Sequence, residues 1–200
     1  MNVQEMLWMG PFGDEYIERN RRSLENDRVL FAEVFAHANT MPYSVIDLGA
    51  GDGTSLAAIK AIDPEIKTTG VEINSKAFDL LKKVADLAVH DSLLGYREDR
   101  QWDMAFTKGV LIHIAPDDLP TAYDTLYRCS RRYILVAEYY SPKPQIIHYR
   151  GVDNALWKRD FAGEILDRFA DLRLIAYKFI YHRDPYPQDD LTFFLMEKRR

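Results

Sequence analysis

The segment Asp47-Leu48-Gly49-Ala50-Gly51-Asp52-Gly53-Thr54 constrains this chain more than any other. Three alternating glycines follow a β-rich apolar run, Tyr43 to Leu48, and precede the apolar-periodic stretch Ser55 to Ile62, which closes at Asp63-Pro64. A backbone that turns this sharply, and lies close against something else, needs residues without a Cβ. Proline cannot continue a helix. The pattern therefore predicts a buried strand, a tight turn and a helix in immediate succession.

The unit then repeats. Lys67 to Glu72 reads as strand, Ser75 to Val84 as helix, and Asp86 to His90 and Trp102 to Thr107 as strands. Asp117 to Cys129 reads as a helix capped by Asp117 or Asp118, and Tyr133 to Glu138 as the strongest strand of all. Such alternation predicts an α/β fold, a mostly parallel sheet with helices on both faces. Ahead of it, Asp14 to Ala38 has mixed three- and four-residue apolar spacings and reads as amphipathic helix, in one piece or two. Behind it, Asn154 to Phe169 reads as helix, and Leu172 to Tyr181 and Leu191 to Glu197 as an antiparallel strand pair at the sheet edge, joined by the turn-rich His182 to Asp190. At 200 residues a single domain over 1–200 is expected, with 1–40 as an amino-terminal helical segment able to act as a lid.

Composition narrows the partners. Lys and Arg total 26 against 31 Asp and Glu, a net charge of -5, so no basic excess is available for a nucleic-acid backbone. Cys129 is the only cysteine, which rules out an intramolecular disulfide or a cysteine-based zinc site and suits a reducing cytoplasm. The stretch Met1 to Glu15 does not read as a signal peptide, and no apolar run approaches the roughly 20 residues that span a bilayer. The expectation is a cytoplasmic protein with a small-molecule partner and neither nucleic acid nor membrane.

Two ligands suit the glycine loop. A dinucleotide-binding loop would carry glycine three positions after Gly51, so that pyrophosphate sits at the helix amino terminus; Thr54 stands there instead. The alternative is S-adenosylmethionine (SAM), which has no pyrophosphate and whose amino-acid part and ribose would lie against Gly49, Gly51 and Gly53. Asp47 would then receive the cofactor's ammonium, directly or through water. Glu72, 19 residues after Gly53, ends the second strand, where a carboxylate accepts both ribose hydroxyls. Asp91 follows the third strand, where it would accept from the adenine amino group. Each acid alone reads equally as a solvated loop residue or a cap. Together they surround one crevice at the carboxyl ends of the strands, where open α/β sheets bind ligands.

Val45 to Thr54, Gly70-Val71-Glu72-Ile73, His90-Asp91-Ser92 and Trp102-Asp103-Met104-Ala105-Phe106 resemble the class I SAM-dependent methyltransferases. That resemblance implies a Rossmann-like seven-stranded sheet with its last strand antiparallel, and places Ile73 and Ser92 beside the cofactor. More specific segments are Leu7-Trp8 with Gly10 to Tyr16, Thr107 to Ile114, Ala137 to Tyr140, Arg150 to Phe161, and Tyr181 to Asp184 with Pro187 to Asp190. These resemble the pseudaminic acid biosynthesis-associated methylases, which implies an acceptor from a sugar or nonulosonic-acid pathway.

Methyl transfer from a sulfonium needs alignment and, for a hydroxyl or ammonium acceptor, removal of a proton. His113, just beyond the fourth strand, is the leading candidate for base or acceptor contact; the alternative is a cap or hydrogen bond to the next helix. Lys108 is placed with the cofactor or in a salt bridge with a surface acid. Glu138 and His148 are further candidates for the catalytic base. Tyr139, Tyr140, Arg150, Lys158 and Arg159 are candidates for holding the acceptor, the arginines through a bidentate fork if it carries a carboxylate or phosphate. For each of these, packing or a solvated face is the competing reading. No catalytic metal is expected, His182 to Asp190 being read as turn chemistry. The competing functions are a non-catalytic SAM-binding domain and a nicotinamide-dependent oxidoreductase.

Overall fold

A computed structural model describes residues 2–20 and 23–199; residues 21 and 22, inside the helix expected from 14 to 38, lie outside the described residues. Helices α1 (Val3–Met9) and α2 (Pro11–Arg19) precede α3 (Leu24–His37). Then come β1 (Ser44–Leu48), α4 (Thr54–Ile62), β2 (Lys67–Glu72), α5 (Ser75–Leu81), β3 (Leu87–His90) and β4 (Trp102–Lys108). The chain continues through α6 (Leu119–Cys129), β5 (Ser130–Glu138), β6 (Gln145–Tyr149), β7 (Val152–Lys158), α7 (Phe161–Arg168), β8 (Leu172–Ile180) and β9 (Leu191–Lys198).

Among the described residues, seven strands form one sheet in the order β3-β2-β1-β4-β5-β9-β8. β1 pairs parallel with β2 and β4, β2 with β3, and β4 with β5, while β9 inserts antiparallel between β5 and β8. This is the expected Rossmann-like sheet with its last strand antiparallel, and the expected edge pair is β8 and β9. The strand order reverses at β1 and β4, so the carboxyl ends of these two strands open the crevice that α/β sheets use for ligands.

Strand periodicity explains why the runs read as continuously apolar. In β5, Tyr133, Leu135 and Ala137 enter the core beneath α3 and α4, whereas Ile134 and Val136 enter the core beneath α6 and α7. Alternate side chains thus serve opposite faces, and both faces are buried. Phe31 of α3 meets Phe106 of β4 edge-on at 5.1 Å, joining the helical layer to the sheet centre.

Three expectations need correction. Residues 154–158 belong to β7, not a helix; Ala155, Leu156 and Trp157 are three consecutive buried residues, and the strand pairs with β6 in a separate two-stranded hairpin. The helix in that region is only α7, whose start is capped by the Asp160 carboxylate accepting from the Gly163 N–H at 2.9 Å. α5 stops at Leu81 rather than Val84. Asp118 stands at the cap position of α6, but its carboxylate caps nothing there and instead accepts from the Asn2 amide at 2.6 Å. No helix among the described residues is long and apolar enough to cross a membrane.

Candidate functional site

The glycine loop folds as its sequence demands. Gly49, Gly51 and Gly53 have φ of 93°, 59° and 85°, all in the left-handed region that L side chains resist. The Gly49 and Ala50 N–H groups donate to the Val71 carbonyl at 2.8 and 3.0 Å, which bends the loop back over β2. A Cβ on Gly49 would stand 2.6 Å from a Val110 methyl, so the loop packs against the turn after β4.

Glu72 anchors the loop. One carboxylate oxygen accepts from the Gly51 N–H and the other from the Asn74 N–H, each at 2.7 Å. The side chain is 8 % exposed and walls a cavity of about 110 Å³ together with Gly49, Gly51, Ile73, Asp91 and Ser92. Each carboxylate oxygen can accept a second hydrogen bond, so the acid can both brace the loop and meet a ligand. Asp91 accepts from the Ser92 N–H at 2.7 Å. The lining would suit SAM: a fixed carboxylate able to accept from ribose hydroxyls, a second acid at the next strand end, and apolar walls from Ile73, Leu93 and Leu94.

The opposite wall comes from α1 and α2 through Trp8, Gly13, Tyr16 and Ile17. These helices are strapped down by polar bonds. Ser92 Oγ donates to the Glu5 carboxylate, and the Asn74 amide donates to the Trp8 carbonyl at 3.0 Å and to Asp14 at 2.8 Å. Trp8 packs on Phe12, Tyr16 and His113 with ring centroids 5.4, 5.2 and 4.5 Å away.

A second, roomier cavity of about 380 Å³ adjoins the first, and Tyr16, Gly109 and His113 line both. His113 is 6 % exposed, with Nδ1 2.7 Å from the Ala155 carbonyl. Burial pulls the imidazole down to about 4 despite that hydrogen bond. Glu138 also lines the second cavity, where it accepts the Val110 and Leu111 N–H groups at 3.0 Å and that of Ile112 at 3.4 Å. Burial pushes it up to about 7 against the pull of those donors. Lys108 reaches Asp27 of α3 at 2.8 Å, and Asp27 also accepts from Gln188 and Ser55, both at 3.0 Å. This buried network ties α3, β4, α4 and the β8–β9 loop into one wall of the second cavity.

The expected residues divide accordingly. Gly49, Gly51, Glu72, Ile73, Asp91 and Ser92 converge on the first cavity. Asp47, 1 % exposed, and Gly53 line neither cavity, and Lys108, expected with the cofactor, lines only the second. Of the acceptor candidates, Tyr139 and Arg150 line the second cavity; the Tyr139 hydroxyl donates to Asp189 at 2.6 Å, and Arg150 lies over the Tyr149 ring at 5.7 Å. Tyr140, Lys158, Arg159 and His148 line neither. Tyr140 packs on Phe194 at 5.8 Å, Lys158 lies over Tyr139 at 5.0 Å, Arg159 pairs with Glu164 at 2.7 Å, and His148 is exposed on β6.

Sequence reasoning missed Asp27, Asn74, Gln188 and Glu5. Asn74 was findable as the cap before Ser75, and its side chain does accept from the Ala77 N–H at 2.9 Å. Asp27 and Gln188 lie 161 residues apart and left no local signal. His182 and Asp190 bond to each other at 2.9 Å within their turn. Among the described residues, no three His, Cys, Asp or Glu side chains converge as a metal site would require.

No family model matches the chain. No curated protein matches it either. Solved structures do. Magnesium protoporphyrin IX methyltransferase (ChlM) from Synechocystis, with bound SAH, superposes with a TM-score of 0.71 at 12 % identity over 98 % of this chain and 100 % of its own. The plantazolicin methyltransferase BpumL in complex with SAH gives 0.68 at 13 % identity over 99 % and 95 %. The sugar N-methyltransferase KedS8 from Streptoalloteichus gives 0.67 at 14 % identity over 96 % and 94 %. At such identities the likeness speaks for architecture, and the architecture of this chain is the Rossmann-like fold of the class I SAM-dependent methyltransferases.

Proposed function

We propose that this chain is a SAM-dependent methyltransferase whose acceptor is a small polar molecule of the sugar or nonulosonic-acid kind. The observation that carries the reading is the meeting of two cavities at one wall, Tyr16, Gly109 and His113. In-line displacement needs donor and acceptor on opposite sides of the transferred carbon, and adjoining cavities supply that arrangement. SAM would supply an electrophilic methyl on a sulfonium. In the first cavity Glu72 receives the ribose hydroxyls, Asp91 and Ser92 the adenine edge, and Gly49 and Gly51 give close backbone approach. Asp47, Gly53 and Lys108 act indirectly in this reading, by shaping the loop and the adjoining wall.

The second cavity takes the acceptor, with Tyr139 and Arg150 as its nearest candidate contacts and His113 facing the reacting atom. Glu138 organises the turn after β4 through its backbone bonds and lines the same cavity as His113. The hairpin of β6 and β7 brings Tyr149, Arg150 and Leu156 over the site, so His148, Lys158 and Arg159 serve the hairpin and its base. α1 and α2 act as a lid that excludes water and completes the site. A sugar acceptor also suits the likeness to a sugar N-methyltransferase, and the motif resemblance adds the nonulosonic-acid pathway.

A nicotinamide cofactor fits less well. Asp52 accepts from the Thr54 N–H at 3.1 Å and from its hydroxyl at 2.8 Å, placing a carboxylate at the α4 amino terminus where a pyrophosphate would have to sit. Incubation with methyl-labelled SAM and a panel of sugar-pathway intermediates, read by product mass spectrometry, tests the reading. A labelled acceptor supports it, and binding of SAM with no transfer to any panel member argues for the non-catalytic alternative.

A further inference from the structure

The two amino-terminal helices bend where they meet the first cavity. Gly10 separates them in extended backbone, with φ of -94° and ψ of -165°, and Pro11 starts α2. Asn74, 3 % exposed, grips both sides of that bend. Its side-chain amide donates to the Trp8 carbonyl of α1 at 3.0 Å and to the Asp14 carboxylate of α2 at 2.8 Å. A Cβ on Gly13 would run into the Trp8 carbonyl and stand 2.9 Å from the same amide nitrogen, so the helices come this close only because residue 13 has no side chain.

The other end of the amide fixes its orientation. Asn74 Oδ1 accepts from the Ala77 N–H at 2.9 Å, and a backbone N–H can only donate, so the NH₂ faces the lid. Its two hydrogens meet two acceptors. The Asn74 backbone N–H donates to Glu72, whose other oxygen takes the Gly51 N–H. One residue therefore joins the α5 amino terminus, both lid helices and the acid that the methyltransferase reading gives to the ribose. Glu72, Gly49 and Gly51 wall the first cavity on one side, and Trp8, Gly13 and Tyr16 on the other. A cofactor held between these walls touches both, so parting them shortens its stay.

Resting on the methyltransferase reading for the identity of the cofactor, we propose that Asn74 is a positioning residue that latches the lid, and that breaking its bonds to Trp8 and Asp14 sets how fast SAM and S-adenosylhomocysteine (SAH) exchange. Aspartate at position 74 separates this role from helix capping. Asn and Asp cap helices about equally well, so Asn74→Asp keeps the bond to Ala77. A carboxylate can only accept, however, and it would face a carbonyl and a second carboxylate across the bend.

Amide hydrogen exchange on the ligand-free full chain reads the latch, and stopped-flow release of SAH reads its consequence. Asn74→Asp is expected to speed both exchange in α1 and α2 and SAH release by about 10- to 100-fold, with exchange in α5 unchanged. Adding Asp14→Asn to it restores a donor and acceptor with their roles reversed and should recover part of both effects. Asp14→Ala alone leaves position 74 and α5 intact. It should shift both readouts the same way by at least about threefold, and it decides the matter if Asn74→Asp does not fold. Unchanged exchange in the lid, equal acceleration in α5, or a loosened lid without faster SAH release overturns the proposal. If the unaltered protein binds neither SAM nor SAH in calorimetry, the methyltransferase reading falls; intact binding with an unchanged lid sinks only the latch.

Discussion

Replacing Glu72 probes both the loop and the proposed cofactor site. Its two oxygens take different donors, Gly51 N–H and Asn74 N–H, each at 2.7 Å. Glu72→Ala removes the acceptors from two N–H groups, each loss costing about 1–3 kcal/mol where water cannot replace the bond. The same change removes the proposed ribose contacts, worth about 1.5–3 kcal/mol, or roughly 10- to 140-fold in SAM affinity. Glu72→Gln should behave almost as badly: glutamine keeps one oxygen, so its NH₂ must face one of the two backbone donors. The assay is calorimetric titration of SAM on variants first shown by thermal unfolding to be folded at the working temperature. SAM affinity unchanged in a folded Glu72→Ala protein would refute the proposed contact, and an unchanged melting temperature would refute the anchoring of the loop.

Gly51→Val should abolish SAM binding in calorimetry, because Gly51 has φ of 59°, which a β-branched residue resists, at a position that lines the first cavity. Deleting residues 1–13 should leave the sheet folded by circular dichroism yet impair turnover, since the lid would no longer close the site; full activity would contradict it. Breaking the buried Asp27–Lys108 pair by Lys108→Met should lower stability by about 3–5 kcal/mol in denaturant unfolding, since the buried carboxylate keeps the neutral donors Ser55 and Gln188 but loses the cation that balances its charge. His113→Asn should reduce turnover on the identified acceptor by about 10²–10⁴-fold with little change in SAM affinity. His113 also sets a pH dependence. Its folded value of about 4 lies below the unfolded 6.5, so the unfolded state binds more protons between them and stability falls as pH drops through that window. Unfolding curves of His113→Asn should lack that part of the acid sensitivity.

The sheet was legible because its strands are short apolar runs separated by breakers, and β2, Lys67–Glu72, falls where the run says it should. The loop was legible because positive φ at three positions leaves little choice but glycine. The β6–β7 hairpin was not. Its turn places Arg150 at φ 50° beside Gly151 at φ 80°, and arginine is not a residue that announces a left-handed turn. Ala155-Leu156-Trp157 is buried without alternation, so it carries no period by which to tell strand from helix. Because that hairpin supplies the Ala155 carbonyl and part of the second cavity, that cavity was the harder half to read. The first cavity depends on strand ends that local sequence marks, whereas the placement of Lys108 depends on Asp27 and Gln188, partners that only tertiary packing brings together.

Parallel calorimetric titrations of the full chain with SAM and with NAD test the central claim most directly. The glycine loop, Glu72 and the carboxylate of Asp52 at the α4 amino terminus predict saturable one-to-one binding of SAM and none of NAD. Binding of NAD in preference to SAM, or no binding of SAM, would contradict the account.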